Sequence, residues 1–335
     1  MGAYIVRRLA YTAVTLWGLI LITFLLTRIV PGDPARLAAG PQARQDQVEQ
    51  VRKTYGLDKP LWVQYGIYMK RLMQGDFGKS LWFKRPVLED LRVYFPPTVE
   101  LSLCASILFI VFGVPLGIMS AVRRNSFLDH TARLFSLGGL SMPVFVLGLI
   151  LQLIFYRFLN WFPAGGRIDA FISPPTHITG LYILDGLFTA NWSALASALY
   201  HLILPAVTLA YGSLGVVSRM TRASLLEVLG EDYIRTALSK GLPERVVFLR
   251  HALRNALIPI LTVTGLQIGS LMGGVLLVEI IFSWPGLGTY AYTSVTVLDV
   301  NAIMAVTIIT GLIYTGVNLV VDILYTAVDP RIRYS

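Results

Sequence analysis

His130, His177, His201 and His251 are the side chains best suited to holding a metal or moving a proton, yet no two share a spacing that puts two ligands on one helix face. No serine, histidine and acid arrangement can be argued either. The single cysteine, Cys104, rules out a disulfide framework or a multi-cysteine metal site, and its place in an apolar run marks an inert core thiol. Gly78-Lys79-Ser80 has the ending of a phosphate-binding loop, but that loop needs another Gly five residues before its last one, and Met73 stands there. The chain is expected to carry no catalytic site, cofactor or metal of its own.

Other residues do mechanical work by type and spacing. Gly265, Gly269 and Gly273 recur every four residues and make a ridge against which another helix can come close. Pro143, after Ser141 and Met142, breaks a hydrogen-bond ladder, as do Pro115 and Pro205, and freed carbonyls there can face a water-filled path. Asp322, one turn from Asn318, is an ionisable group in an apolar segment, with functional and helix-capping readings both open. Glu279 and Trp284 close another such segment, where Trp commonly marks the membrane interface.

The elements that carry these residues are membrane-spanning. Hydrophobic residues make up 55% of the 335 and charged residues 14%, against roughly 25% charged in soluble domains. The apolar residues fall in six long runs, 9–30, 99–122, 134–159, 201–217, 257–282 and 302–328, each near the roughly 20 residues a spanning helix needs. The first run is too long for a signal peptide and is read as a retained helix. The net charge of +9 is spread between hydrophobic runs, which favours membrane lipid over nucleic acid as a partner.

An all-α polytopic fold follows, with both termini cytoplasmic. That orientation gathers Arg7, Arg8, Arg123, Arg124, Arg219, Arg222 and Arg254 inside. The expected organisation is an N-terminal helix at 1–30, an external cap at 31–98, a core of five helices at 99–328 and a cytoplasmic tail at 329–335. In the cap, helices are predicted near 45–55 and 61–74, separated by Gly56, Asp58 and Pro60. A second external segment, about 160–200, is irregular with a short interfacial helix.

The most informative stretch is the cytoplasmic loop 218–256. Tyr233 with Ala237 and Ile234 with Leu238 form i,i+4 pairs of a short amphipathic helix through Arg235 and Thr236, which Gly241 stops. Leu242 and Pro243 turn the chain into a second helix from Glu244, where Val246, Leu249, Leu253 and Leu257 make a stripe leading past Arg250 and Arg254 into the membrane. Two helices on a tight turn make a rigid knob. It can transmit a partner's movement or rest on anionic headgroups.

Here the chain resembles the dipeptide and oligopeptide permeases of bacterial ATP-binding-cassette importers. Ala237 and Gly241 match the family loop, although Arg235 and Thr236 stand where the general importer pattern has Glu and Ala. The resemblance extends to Pro31-Gly32-Asp33-Pro34, Gly56-Leu57-Asp58-Lys59-Pro60-Leu61, Gly75-Asp76-Phe77-Gly78, Phe282-Ser283-Trp284-Pro285-Gly286-Leu287-Gly288, and Asp322 and Asp329-Pro330-Arg331 near the end. It implies the type I importer permease fold. It also implies a second homologous permease, two ATP-binding subunits that use ATP and Mg, and an external solute-binding protein.

An ion-coupled secondary transporter is the rival reading, but internal repeats and midplane ionisable residues are not evident. A membrane enzyme lacks clustered ligands. Substrates implied by the resemblance run from dipeptides to longer peptides, glutathione and nickel complexes. Ser173-Pro174-Pro175-Thr176-His177 looks like permeases for D-alanyl-D-alanine-type dipeptides.

Overall fold

The computed structural model of the chain describes residues 2–29, 34–39, 43–54, 56–80 and 82–328, without the side chains of 2–5, 27–29, 34, 37, 38, 272–274 and 322–328. Pro31, Gly32 and Asp33, the Asp329-Pro330-Arg331 motif and the tail to 335 lie outside the described residues.

An outer spanning helix, α1 (Gly2–Ile29), leads into a cap of three short helices, α2 (Pro34–Ala39), α3 (Gln45–Thr54) and α4 (Leu61–Met73). The two helices predicted for the cap are α3 and α4. Gly56, at φ +64°, makes the turn between them, and the Gln64 amide donates to the Leu57 and Lys59 carbonyls. Tyr65 and Tyr68 pack on Phe24, fastening the cap to α1. Gly78-Lys79-Ser80 belongs to this fastening and not to a phosphate loop: Ser80 Oγ donates to Asp299 at 2.5 Å and Asn301 donates to the Lys79 carbonyl.

The core begins at α5 (Val87–Val122), twelve residues before the 99 expected from hydropathy. Pro86 caps it, and Pro96 and Pro97 are carried inside the helix. Next come α6 (Phe127–Ser141), α7 (Val144–Leu151) with a π-helical extension over Gln152–Phe158, and α8 (Tyr182–Phe188), the short helix of the second external segment. The long α9 (Trp192–Leu229) follows, then a hairpin of α10 (Asp232–Ser239) and α11 (Glu244–Val246). A π-helical turn over Val247–Ala252 leads into α12 (Leu253–Ile281), and α13 (Leu287–Thr296) and α14 (Val300–Val328) complete the chain.

Among the described residues, α1, α5, α9, α12 and α14 are long and apolar enough to cross a membrane. The third run, 134–159, is not a straight span. It lies within α6 and α7, which are bent by 108° at Met142 and Pro143 and count as a sixth span only as a pair. Pro143 supplies no N–H and disfavours helical geometry in the residue before it, and here Met142 is extended at ψ 122°.

Glycine lets α9 lie at the centre. A Cβ on Gly117 would strike the Ser218 carbonyl and Thr221, one on Gly113 would press on the Leu214 carbonyl, and one on Gly215 would meet the Ser136 carbonyl. Backbones of α5, α6 and α9 therefore touch, which supplies dispersion contact where lipid gives no hydrophobic drive between helices. Around this contact Leu101, Phe109, Leu202, Leu209, Val275 and Phe282 form the main buried cluster.

Candidate functional site

The hairpin between α9 and α12 is built around four inward side chains. Ile234 and Ala237 of α10 meet Val247 and Ala252 of the π turn, sealed by Val228, Leu229 and Phe248. The buried pair on α10 is three residues apart. Tyr233 and Leu238, expected on packed faces from the i,i+4 pairs, are exposed. One eight-residue helix lying on one neighbour can bury only one stripe.

The expected stripe in the second helix is also corrected. Val246 and Leu249 are exposed, and the inward set is Val247, Ala252, Ala256 and Ile260. A π turn holds one extra residue, so the buried face advances by five from Val247 to Ala252 before returning to steps of four. Leu253 and Leu257 are half-buried where the helix enters the core.

Gly241 stops α10 as expected, at φ +76°. Its N–H donates to the Leu238 carbonyl at 2.9 Å and that of Leu242 reaches back to Ala237 at 3.4 Å, the paired bonds of a Schellman end. Arg235, Thr236, Gly241, Leu242, Pro243, Glu244, Arg250 and Arg254 are exposed together with Tyr233; Ala237 alone of the expected set is buried. The result is an apolar outer face of Leu238, Leu242, Val246 and Leu249 above a sealed base, with Asn255 donating to the Tyr233 hydroxyl at 2.8 Å.

This hairpin is joined directly to the core. Residues 218–229, expected as part of the loop, are the last turns of α9, a continuous helix of 38 residues that spans about 57 Å. Near its end Arg222 donates to Asp129 of α6, which also accepts from Ser120 of α5 and from the Asn125 N–H. The sequence reading missed this buried junction, although a carboxylate so close to an apolar run was its visible sign.

Ser141 and Met142, the path candidates, are exposed at the break between α6 and α7. Gly265 and Gly269 pack on Val321 and Tyr314 of α14, so this part of the ridge serves the chain's own bundle. Gly273 lies on α12 and Asp322 on α14, at positions whose surroundings are outside the described residues.

The opposite end is closed by buried polar groups. Trp284 is 1% exposed, which corrects its reading as an interface marker: its indole N–H donates to the Pro97 carbonyl at 2.9 Å. Glu279 is fully buried, accepting from Thr98 at 2.5 Å and from the Thr289 N–H at 2.9 Å, with Gly286 and Gly288 wrapped against its carboxylate. Arg167 donates to Glu100 at 2.6 Å and to the Gly180 carbonyl, and its guanidinium lies 3.6 Å from the centre of the Tyr182 ring. Glu100 also holds the Ile183 N–H at 2.8 Å, so the 160–190 segment is latched to α5. Within that segment, burial pushes the Asp185 carboxyl up, but the Thr179 hydroxyl and the N–H groups of Thr179, Ile178 and Gly180 outweigh it and hold the carboxyl below its usual range.

An all-helical bundle of five continuous spans and one bent pair, with an exposed hairpin between the fourth and fifth, is the type I importer permease fold. The family model of the binding-protein-dependent transport system inner membrane component matches residues 113–334, and that of the N-terminal part of such membrane components matches 1–102. The chain is 49% identical over 323 residues to the probable D,D-dipeptide transport system permease protein DdpB of Escherichia coli (strain K12), covering 94% of this chain and 95% of that one. It is 42% identical to the dipeptide transport system permease protein DppB of Alkalihalophilus pseudofirmus, over the whole of both chains. It is 40% identical to the glutathione transport system permease protein GsiC of Pectobacterium atrosepticum over 99% of each. The chain belongs to the dipeptide and oligopeptide permease family of bacterial ATP-binding-cassette importers. It is a multi-pass inner-membrane protein and a permease subunit.

Proposed function

We propose that this subunit passes a dipeptide or a related small peptide across the inner membrane, driven by ATP hydrolysed with Mg on two separate subunits, one of which docks on the α10–α11 hairpin. The carrying observation is the hairpin's division into a sealed base and an exposed apolar face bearing Leu238, Leu242, Val246 and Leu249. A packed base, joined to a continuous helix of 38 residues, turns pressure on the knob into movement of α9 and α12. ATP must favour one permease state over the other, since a ligand with equal affinity for both shifts nothing.

Both termini and the hairpin are cytoplasmic, and an external solute-binding protein delivers the solute to the face formed by α8 and α13. The break at Ser141 and Met142 faces the path or the second permease, because non-helical backbone at membrane depth is tolerated only against protein or water. The similarity to the D,D-dipeptide permease makes a D-amino-acid dipeptide the first substrate to try.

Purifying the chain from its native membrane tests the assembly. An ATPase pair and a second permease should come with it, and the reconstituted complex should take up dipeptide only with ATP and the solute-binding protein. Recovery of the chain alone under mild detergents would sink the proposal.

A further inference from the structure

Between α9 and the start of the 160–190 segment lies an open cavity of about 670 Å³. Its walls include the aromatic rings of Tyr156, Phe162 and Tyr200, and its polar groups include Asn160, Asp169, Ser193, Ser197 and His201; among the described residues no Lys or Arg lines it. His201 is 8% exposed. Its Nδ1 lies 2.8 Å from the Ser197 carbonyl, which can only accept, so Nδ1 carries the hydrogen. In the neutral ring Nε2 is then an acceptor, and among the described residues no protein group bonds to it. Asp169 is anchored beside it: its N–H donates to Ser197 Oγ at 3.0 Å, and Oδ1 accepts from the Phe171 N–H at 2.9 Å, leaving Oδ2 for a ligand.

A carboxylate and an imidazole acceptor among aromatic faces, with no competing cation, suit a primary ammonium, which donates three hydrogen bonds and is drawn to ring faces. The field at the N-terminus of α9 favours anions but falls off within the first turn, where Asn191 already caps Ala194. Ser193 of that turn lines the cavity as well, and His201 lies about two turns further along.

We propose that this cavity binds a primary ammonium group, held between the Asp169 carboxylate and His201 Nε2. Under the transport reading, on which this assignment of the source rests, the ammonium is the solute's free amino terminus, met at the outer face. An ethanolamine phospholipid offers the same group.

The test uses the purified membrane complex of permeases and ATPases without the solute-binding protein, which would itself bind peptide. Equilibrium binding of Ala-Ala and N-acetyl-Ala-Ala is measured in phosphatidylcholine nanodiscs, and retained lipid is read by native mass spectrometry from phosphatidylethanolamine nanodiscs. Asp169 is exposed, so Asp169→Asn leaves the fold intact; His201→Phe is the second variant. The expected result is Ala-Ala binding at least tenfold tighter than its acetylated form, with the difference lost in both variants. Ethanolamine lipid retained by the wild type and lost in Asp169→Asn, without peptide binding, assigns the same pocket to lipid. Peptide and lipid binding unchanged in both variants overturns it. Absence of ATP-driven uptake by the wild type with the solute-binding protein restored would instead count against the transport reading alone.

Discussion

Arg222 grips Asp129 with two nitrogens, Nε at 2.7 Å and Nη2 at 2.9 Å, and so ties the last turns of α9 to the first turn of α6. The Asp129 side chain is fully buried and that of Arg222 is mostly so. Removing it breaks two charge-assisted bonds and leaves the buried carboxylate only the half-exposed Arg133, 3.6 Å from Oδ1, as counter-charge, so Arg222→Leu should cost about 2–3 kcal/mol. Thermal unfolding in detergent measures it. Arg235→Ala breaks an exposed pair with Asp232 and should leave the midpoint unmoved, because solvent screens such pairs.

Gly286 and Gly66 should respond in opposite directions to alanine. At Gly286 a Cβ runs into the Glu279 carboxylate and Thr98 Oγ1, so Gly286→Ala must displace a buried hydrogen-bonded pair. Overpacking of this kind costs about 1–3 kcal/mol. Gly66 lies inside α4 with open space around it, and Gly66→Ala should gain about 0.5–1 kcal/mol of helix stability. The two melting midpoints, measured side by side, decide it.

Asp185 makes the 160–190 segment sensitive to acid. Its folded carboxyl is held below the usual range despite burial, so the unfolded segment binds the proton more tightly. The stabilisation is whole above about pH 4 and drains away as pH falls through the folded value. Limited proteolysis of the segment should therefore rise steeply below about pH 4. Asp185→Asn should be cleaved readily at neutral pH, with little further change on acidification.

Much of this was legible in local chemistry. Gly56 and Pro60 marked the cap's turn, and Gly241 marked the end of α10, because a stop depends on the backbone of one residue. Pro143 announced a break, but the 108° bend depends on how α6 and α7 pack on α9. The latch of Arg167 on Glu100 joins residues 67 apart, and no local pattern connects them. Trp284 misled because a tryptophan ending a span usually meets the interface; here the Pro97 carbonyl takes its N–H and the ring is buried in the main apolar cluster. The π turn at Val247–Ala252 is the subtlest case, since one extra residue moved the buried face off the stripe that 3.6 periodicity picked out.

Gly241 offers the sharpest test of coupling, because its role separates into space and backbone. A Cβ there meets nothing within 4 Å, so substitution creates no clash, and the cost comes from φ +76°. A side chain in the left-handed region costs about 1–2 kcal/mol, least for Asn and most for β-branched residues. Gly241→Asn should keep most of the solute moved per ATP hydrolysed, Gly241→Ala should lose part, and Gly241→Val should lose most, with membrane insertion equal in all three. Uptake and ATP turnover measured together in proteoliposomes give the ratio. If Gly241→Val transports as the wild type does, the closed turn between α10 and α11 is not what carries force into α12. If all three lose transport equally, the exposed surface at the turn matters and its backbone angle does not.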